Sequence, residues 1–332
     1  MKKAASKSLT AVQMKTVMKR LMDGLMPDGE IETFLIELRE RGETAVEIAA
    51  AAQVMREHAV KLPKIFPDLL DTCGTGGDNQ RTLNVSTLAA LTAAAAGARV
   101  AKHGNRSVSS VCGSADLLEK LGVRIELSAK AVADCLEKTR FGFLFAPLFH
   151  PAVKAAMPAR KRIQGKTLFN ILGPLSNPAG AAFQIVGVYE PRLVPLAAQA
   201  LSALGTQRAL VVHGKDGLDE ISLSGETLVA ELDGGKVREY TVVPEDFGMK
   251  REPLENLRCQ TPEQALETAR RVLAGDIGAA SKIVCLNAAA ALYAAGKATS
   301  IKEGVLASMD ALEGGLAEKM LKVVVKFSQK AS

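Results

Sequence analysis

Four short segments concentrate the residue types needed to handle a phosphorylated substrate and a divalent cation. The first, DTCGTGGD from Asp71 to Asp78, sets three glycines between two acids. Gly74, Gly76 and Gly77 permit backbone conformations that aim several N–H groups at one point, with no side chain blocking a phosphate. A glycine loop of this kind can equally serve only to turn the chain, and this one lacks the lysine and spacing of a Walker loop. Next, Asn84-Val85-Ser86-Thr87 opens a helix whose N-terminus offers unpaired amides, hydroxyls and a positive dipole end. A plain N-cap is the alternative there.

The third segment, KHGNRSVSSVCGSAD from Lys102 to Asp116, is too polar to be core. Lys102 closes a strand and can meet a phosphate as a point charge. Ser107, Ser109, Ser110 and Ser114 supply short donors, Ser114 also as a cap for a helix beginning at Ala115; a solvated loop is the competing reading. The fourth is HGKDGLDEIS, with Asp219 and Glu220 side by side. Neighbouring acids are usually surface residues. Mg²⁺, however, is commonly held by one or two carboxylates together with substrate phosphates and water, which is what a pyrophosphate donor needs. Adjacent side chains of a regular strand point to opposite faces, so both acids can reach one ion only from a loop or bulge, for which Gly214 and Gly217 provide.

The elements that must position these residues follow from hydrophobic spacing. Three helical segments run from Val12 to His58, the second, Ile31 to Arg41, ending at Gly42 in a left-handed cap. Beyond Pro67 a buried strand, Leu69 to Cys73, precedes the glycine loop and a buried helix, Ser86 to Ala96. Further strands are expected at Arg99 to Lys102, Phe143 to Ala146, Gln184 to Val188 and Ala209 to His213, separated by Ala- and Leu-rich helices. Thr227 to Leu232 and Val237 to Val242 flank Asp233-Gly234-Gly235, a hairpin signal. The expected fold is α/β, with a small helical domain over residues 1–66, which part of about 160–190 can join, and a large domain over 67–332 around a mixed, largely parallel sheet.

Composition narrows the class. Of the 332 residues 48% are hydrophobic and 23% charged, a globular balance with ample core. Only 4% are aromatic and none is Trp, which makes base-stacking platforms hard to build. The net charge of +6 is dispersed, as compatible with a small anionic substrate as with a polyanion. Five cysteines show no CxxC spacing, arguing against a zinc site or a disulfide framework and for a reducing cytoplasm. The Ala-rich run from Val85 to Ala101 is broken by Ser86, Thr87, Thr92 and Arg99, so no membrane span is expected. Met1 to Arg20 carries lysines and no acids but no signal-type apolar core, and reads as an ordinary first helix. His58, His150 and His213 lack metal-ligand spacing and read as structural.

Taken in order, FLIELRERGET, DTCGTGGDNQRTLNVST, AKHGNRSVSSVCGSADLLEKLG, FNILGPLSNPA and VVHGKDGLDEIS resemble the anthranilate phosphoribosyltransferases over most of the chain. The resemblance implies a fold like that of the pyrimidine nucleoside phosphorylases, a cytoplasmic homodimer, no nucleic-acid or membrane partner, and two Mg²⁺ ions per active site. It implies transfer of a 5-phosphoribosyl group from phosphoribosyl pyrophosphate to anthranilate in tryptophan biosynthesis. By motif, Gly74, Gly77, Asp78, Thr82, Asn84, Ser86, Thr87, Lys102 and Ser114 would hold the donor. Gly74, His103, Asn105 and Arg160 would face anthranilate, and Ser86, Asp219 and Glu220 the metal. Arg160 is matched by counting back from TLFNILGPL; because the chain reads KRIQGK where the family more often has a Leu-Gly-Ile-Arg-like step, Arg162 is the alternative. No general acid or base is implied, since an aryl amine is already neutral near pH 7. The rival readings are a pyrimidine nucleoside phosphorylase-like enzyme and a non-enzymatic nucleic-acid-binding relative, the latter requiring a coherent basic stripe.

Overall fold

Capping sets the first helices in place. The structure is a computed structural model and describes residues 7–107 and 111–331. Thr10 and Gln13 form a reciprocal capping box at the start of α1 (Ala11–Met22), and Thr44 and Glu47 form another at α3 (Ala45–Glu57). Between them α2 (Asp28–Arg41) ends at Gly42, whose N–H donates to the Leu38 carbonyl. Gly42 takes φ 86° and ψ 132°, not the left-handed helical well expected, because the chain runs directly into the extended Thr44 cap of α3.

A strand–loop–helix alternation then builds the sheet. β1 (Leu69–Asp71) leads through the glycine loop to α4 (Val85–Ala95), then β2 (Arg99–Gly104), α5 (Ser114–Lys120), α6 (Ala129–Thr139) and β3 (Phe141–Phe145). The chain continues through α7 (Ala146–Phe149), α8 (Met157–Arg162) and α9 (Leu168–Leu175) to β4 (Phe183–Gly187), α10 (Leu193–Ala203) and β5 (Arg208–Gly214). β6 (Thr227–Asp233) and β7 (Lys236–Val242) follow, and α11 (Pro262–Leu273), α12 (Ala279–Ala294), α13 (Ile301–Glu313) and α14 (Leu316–Lys330) complete the described chain.

The strand order is β3-β2-β1-β4-β5-β6-β7. The first five positions are parallel and β6 and β7 antiparallel, giving the mixed, largely parallel sheet expected. Gly234 and Gly235 turn the β6–β7 hairpin with φ of 54° and 82°, the paired positive values a two-residue turn of this kind requires. Several boundaries differ from the sequence reading: β1 ends at Asp71 instead of Cys73, β3 begins at Phe141 instead of Phe143, and most other ends shift by one to three residues. β2 runs on to Gly104, so Lys102 lies inside a strand instead of closing it; β3 ends at Phe145 because Ala146 already starts α7.

Alternation along the strands divides the core. Leu70, Val100, Phe143, Ile185, Leu210 and Val212 face a layer containing α4, α11, α12, α13 and α14. Val186, Val188, Ala209, Val211, Ala230 and Leu232 face α1, α2, α3, α9 and α10. The N-terminal helices therefore share one continuous core with residues from α8, α9 and the sheet. No helix among the described residues is long and apolar enough to cross a membrane.

Glu47 ties this helical layer together. Fully buried, it accepts from the backbone N–H of Leu9 and Thr44 and pairs with the nearly buried Arg41. Burial alone would raise its pKa, but Arg41, the two amides and the Thr44 hydroxyl together hold it below the usual carboxylate range. Glu47→Ala leaves the Arg41 guanidinium buried without its partner, which should cost about 3 kcal/mol of stability. Urea unfolding followed by circular dichroism checks this; an unchanged midpoint at unchanged slope would contradict it.

Candidate active site

In an open α/β sheet ligands gather beyond the carboxyl ends of the strands where the order reverses. Here that point lies between β1 and β4. The glycine loop leaves β1 at this place and is stitched to the end of β4: Thr75 donates its N–H to the Gly187 carbonyl at 2.8 Å, and Tyr189 donates its N–H to the Thr75 hydroxyl at 3.1 Å. Gly76 and Gly77 take φ of 63° and 75°, which turns the loop back on itself. Arg81 and Leu83 then bond to Cys259 and Leu257, fixing the far limb.

Asp219 and Glu220 lie in the connection between β5 and β6, a loop as their spacing demanded, and reach the glycine loop from across the sheet. Gly76 donates its N–H to Asp219 Oδ2 at 2.7 Å, and Ser86 donates its N–H to Glu220 Oε1 at 3.1 Å. Two residues missing from the sequence reading make this approach possible. Gly187 is the first: a Cβ built there would coincide with the Asp219 carbonyl oxygen. Asn287, buried in α12, is the second, accepting from the Ile221 N–H and donating to the Ile221 carbonyl at 2.9 and 3.0 Å. A glycine at a strand end was a visible signal for Gly187; an Asn within an alanine-rich helix was a weak one for Asn287.

Lys102 is 2% exposed and donates to the Thr72 carbonyl, the Thr72 hydroxyl and the Ser86 hydroxyl at 3.2, 3.2 and 3.3 Å. Behind it, Asp71 is wholly buried and accepts from the N–H groups of Cys73 and His103 and from the Asn177 amide. Burial pushes the Asp71 carboxyl up to about 6 against the opposing pull of Lys102 and these donors.

The cleft so formed holds about 340 Å³. Its walls include Gly74, Gly77, Asp78, Thr82, Asn84, Ser86, Lys102, His103, Asn105, Ser114, Arg160, Asp219 and Glu220. Thr87 stands apart, fully buried below the wall with its N–H spent on Asn84. Ser114 does not cap its helix as expected: Gly113 occupies that position and Asp116 accepts its N–H, so the Ser114 hydroxyl is free to donate to the Asn105 carbonyl. Ser109 and Ser110 lie outside the described residues.

One end of the cleft is apolar. Ala146, Phe169, Gly173 and Pro174 line it, and the Arg160 guanidinium lies 4.9 Å from the Phe169 ring centroid. Burial lowers the Arg160 pKa, and among the described residues no carboxylate pairs with it. Arg162, the alternative, faces away and pairs with Asp28 and Glu32 of α2. His103 donates its Nδ1–H to the Gly173 carbonyl and lies 5.0 Å from His150, ring to ring. Burial is the main force lowering these histidines, to about 3 and about 4, so both are neutral near pH 7. His58 meets Val54 and Asp23, and His213 meets the Val188 carbonyl, structural contacts in both cases.

The acidic end carries more negative charge than the protein balances. Burial, then Asp78, pushes the Asp219 carboxyl up to about 7, and burial, then Asp219, raises Glu220 well above its ordinary value despite Lys102. Among the described residues neither acid has an ion pair, and no three His, Cys, Asp or Glu side chains form a cage of protein ligands alone. Two carboxylates and the Ser86 hydroxyl, open to a cleft, suit a divalent cation completed by water and substrate oxygens.

Known proteins match the chain over nearly its whole length. Residues 66–318 match the model of the glycosyl transferase family, a/b domain, and residues 1–59 that of the glycosyl transferase family, helical bundle domain. An anthranilate phosphoribosyltransferase of Alkalilimnicola ehrlichii is 52% identical over 96% of this chain and 94% of its own. The crystal structure of the Thermus thermophilus anthranilate phosphoribosyltransferase superposes with a TM-score of 0.93 at 46% identity, covering 97% of each chain. The Saccharomyces cerevisiae enzyme in complex with PRPP and Mg superposes at 0.87 with 26% identity, over 97% of this chain and 94% of that one.

The acidic cluster makes a prediction about stability. In the unfolded chain Asp219 ionises near its ordinary 3.8, in the folded metal-free protein only near 7. Across that window the folded state keeps a proton the unfolded state has lost, so stability falls as pH rises. Asp219→Asn cannot ionise and still offers Gly76 an amide oxygen. In chelator the variant should melt close to the parent at about pH 4 and clearly above it at about pH 8. Calorimetric melting curves that keep a constant gap across this range would contradict the burial account.

Proposed function

The chain belongs to the anthranilate phosphoribosyltransferases, and we propose that the cleft at the β1–β4 switch point is where it moves the 5-phosphoribosyl group of phosphoribosyl pyrophosphate onto the amine of anthranilate. The products are N-(5-phosphoribosyl)anthranilate and pyrophosphate, a step of tryptophan biosynthesis. The single observation that carries this placement is the convergence of the glycine loop with Asp219 through the Gly76 amide. Family kinship does not favour the nucleoside phosphorylase or nucleic-acid readings.

As the bond from the anomeric carbon to pyrophosphate breaks, positive charge gathers on the sugar and negative charge on the leaving group. Stabilising that separation is electrostatic and positional work. Lys102, hydrogen-bonded to neutral oxygens only, faces the leaving group in this reading. Gly74, Gly77, Asp78, Thr82, Asn84, Ser86 and Ser114 surround the donor in this reading; Thr87 supports it from below. Asp219, Glu220 and Ser86 would hold Mg²⁺, two ions in our proposal, and bound metal supplies Lewis-acid neutralisation of the pyrophosphate.

The acceptor lies at the apolar end. A planar guanidinium matches a benzoate carboxylate in two parallel hydrogen bonds, which favours Arg160, unpaired beside Phe169. Gly74, His103 and Asn105 border the ring and amine. His103 is neutral and buried, in keeping with a reaction whose nucleophile needs no strong base. We propose further that two copies associate, supported by the exposed Val12 and Val46 on the mutually packed α1 and α3, and that the protein works in the cytoplasm, as its cysteine pattern suggests.

Mixing the protein with phosphoribosyl pyrophosphate, Mg²⁺ and anthranilate should consume the fluorescent acceptor, while a nucleoside with phosphate should not react. Arg160→Ala should raise the KM for anthranilate about tenfold or more with far less effect on the donor; equal rises in both would overturn its assignment. Asp219→Asn combined with Glu220→Gln should abolish turnover, and full activity with unchanged Mg²⁺ dependence would remove both from the metal site.

A further inference from the structure

One cation near the cleft has no role in the scheme above. Lys166 sits half-buried in the connection between α8 and α9. Its ammonium lies 3.5 Å from the Tyr189 ring centroid. Beside it runs the glycine loop: a Cβ on Gly77 would come within 3.3 Å of Lys166 Cε and 3.6 Å of Nζ. Among the described residues no carboxylate forms an ion pair with it, although Asp219, Asp78 and Glu190 all act on its charge.

The connection bearing Lys166 is held from the other side of the cleft. Arg39 of α2 donates to the Gln164 carbonyl at 2.6 Å, and Arg162 pairs with Asp28 and Glu32 of the same helix. The helical layer thus presents an uncommitted cation to the loop that the sheet presents from below. Lys102 reaches the base of that loop at Thr72 and the start of α4 at Ser86. An anion cradled on the loop amides would have one ammonium beneath it and one beside it.

We propose that Lys166 is a donor-binding residue, its ammonium moving from the Tyr189 ring to the terminal phosphate of the pyrophosphate group when phosphoribosyl pyrophosphate enters. A flexible four-carbon stem makes the move short, and a charge-assisted bond to phosphate outweighs a solvated contact with a ring face. This inference rests on the assignment of the glycine loop to pyrophosphate.

Three variants test it: Lys166→Gln, Lys166→Arg and, for the loop assignment, Lys102→Gln. KM for each substrate and the inhibition constant of inorganic pyrophosphate with Mg²⁺ are measured for all three. Lys166→Gln should raise both the donor KM and the pyrophosphate constant about tenfold, the size of one charge-assisted hydrogen bond, with the anthranilate KM nearly unchanged. Lys166→Arg should restore most of the loss, which a merely structural role would not explain. If Lys166→Gln leaves donor and pyrophosphate constants unchanged while Lys102→Gln raises them, the inference fails and the loop assignment stands. If neither variant moves them, the loop assignment fails and the inference with it. An equal rise in both substrates' KM in Lys166→Gln also overturns the proposal.

Discussion

The backbone of Asp219 crosses the end of β4 at Gly187, with no space between them for even one methyl group, and its carboxylate then accepts the Gly76 amide. Two segments more than a hundred residues apart meet there, and most of the site is arranged around that meeting. Thr75 bonds to the Gly187 carbonyl, so the loop, the strand end and the acid are locked as one unit. Asn287 holds Ile221 through both backbone groups, which leaves the acids little freedom to turn away. A backbone that cannot relax can keep like charges close without repacking to separate them.

Keeping them close is costly, and the cost points to the chemistry. Asp78, Asp219 and Glu220 stand together where burial favours the protonated form of all three, and neighbouring negative charge adds to it at Asp219 and Glu220. Structural acids elsewhere in the protein are treated differently. Glu47 and Glu231 are each met by an arginine and by neutral donors, and both fall below the usual carboxylate range although burial opposes it. Acids left uncompensated at a cleft, where strand order reverses, are prepared for a positive partner from outside the chain.

The cations of the cleft follow the complementary rule. Lys102 and Arg160 are both withdrawn from solvent and hold no carboxylate; neutral oxygens meet one and a ring face the other. Arg162, two residues on, is spent on Asp28 and Glu32. The helical layer and the sheet share one core beneath the cleft, so the wall borne largely by α8 and α9 and the wall borne by loops of the sheet are set against each other by packing.

Local chemistry was legible in the sequence because it depends on neighbours. The glycine loop, the Asn84 cap, the Gly-Gly hairpin and the need for Asp219 and Glu220 to leave a regular strand are all consequences of residues a few positions apart, and the alternation of strands with helices announced a mostly parallel sheet. Smaller matters decided by packing were misread: the length of β2 past Lys102, the backbone at Gly42, and the cap at Gly113 in place of Ser114. Only the tertiary structure showed that β1 lies between β2 and β4, that Gly187 must lack a side chain, that Asn287 braces the acids, and that Arg160 turns inward while Arg162 turns out. Those facts depend on contacts between distant segments, and spacing along a chain carries no record of which distant surfaces the core will press together.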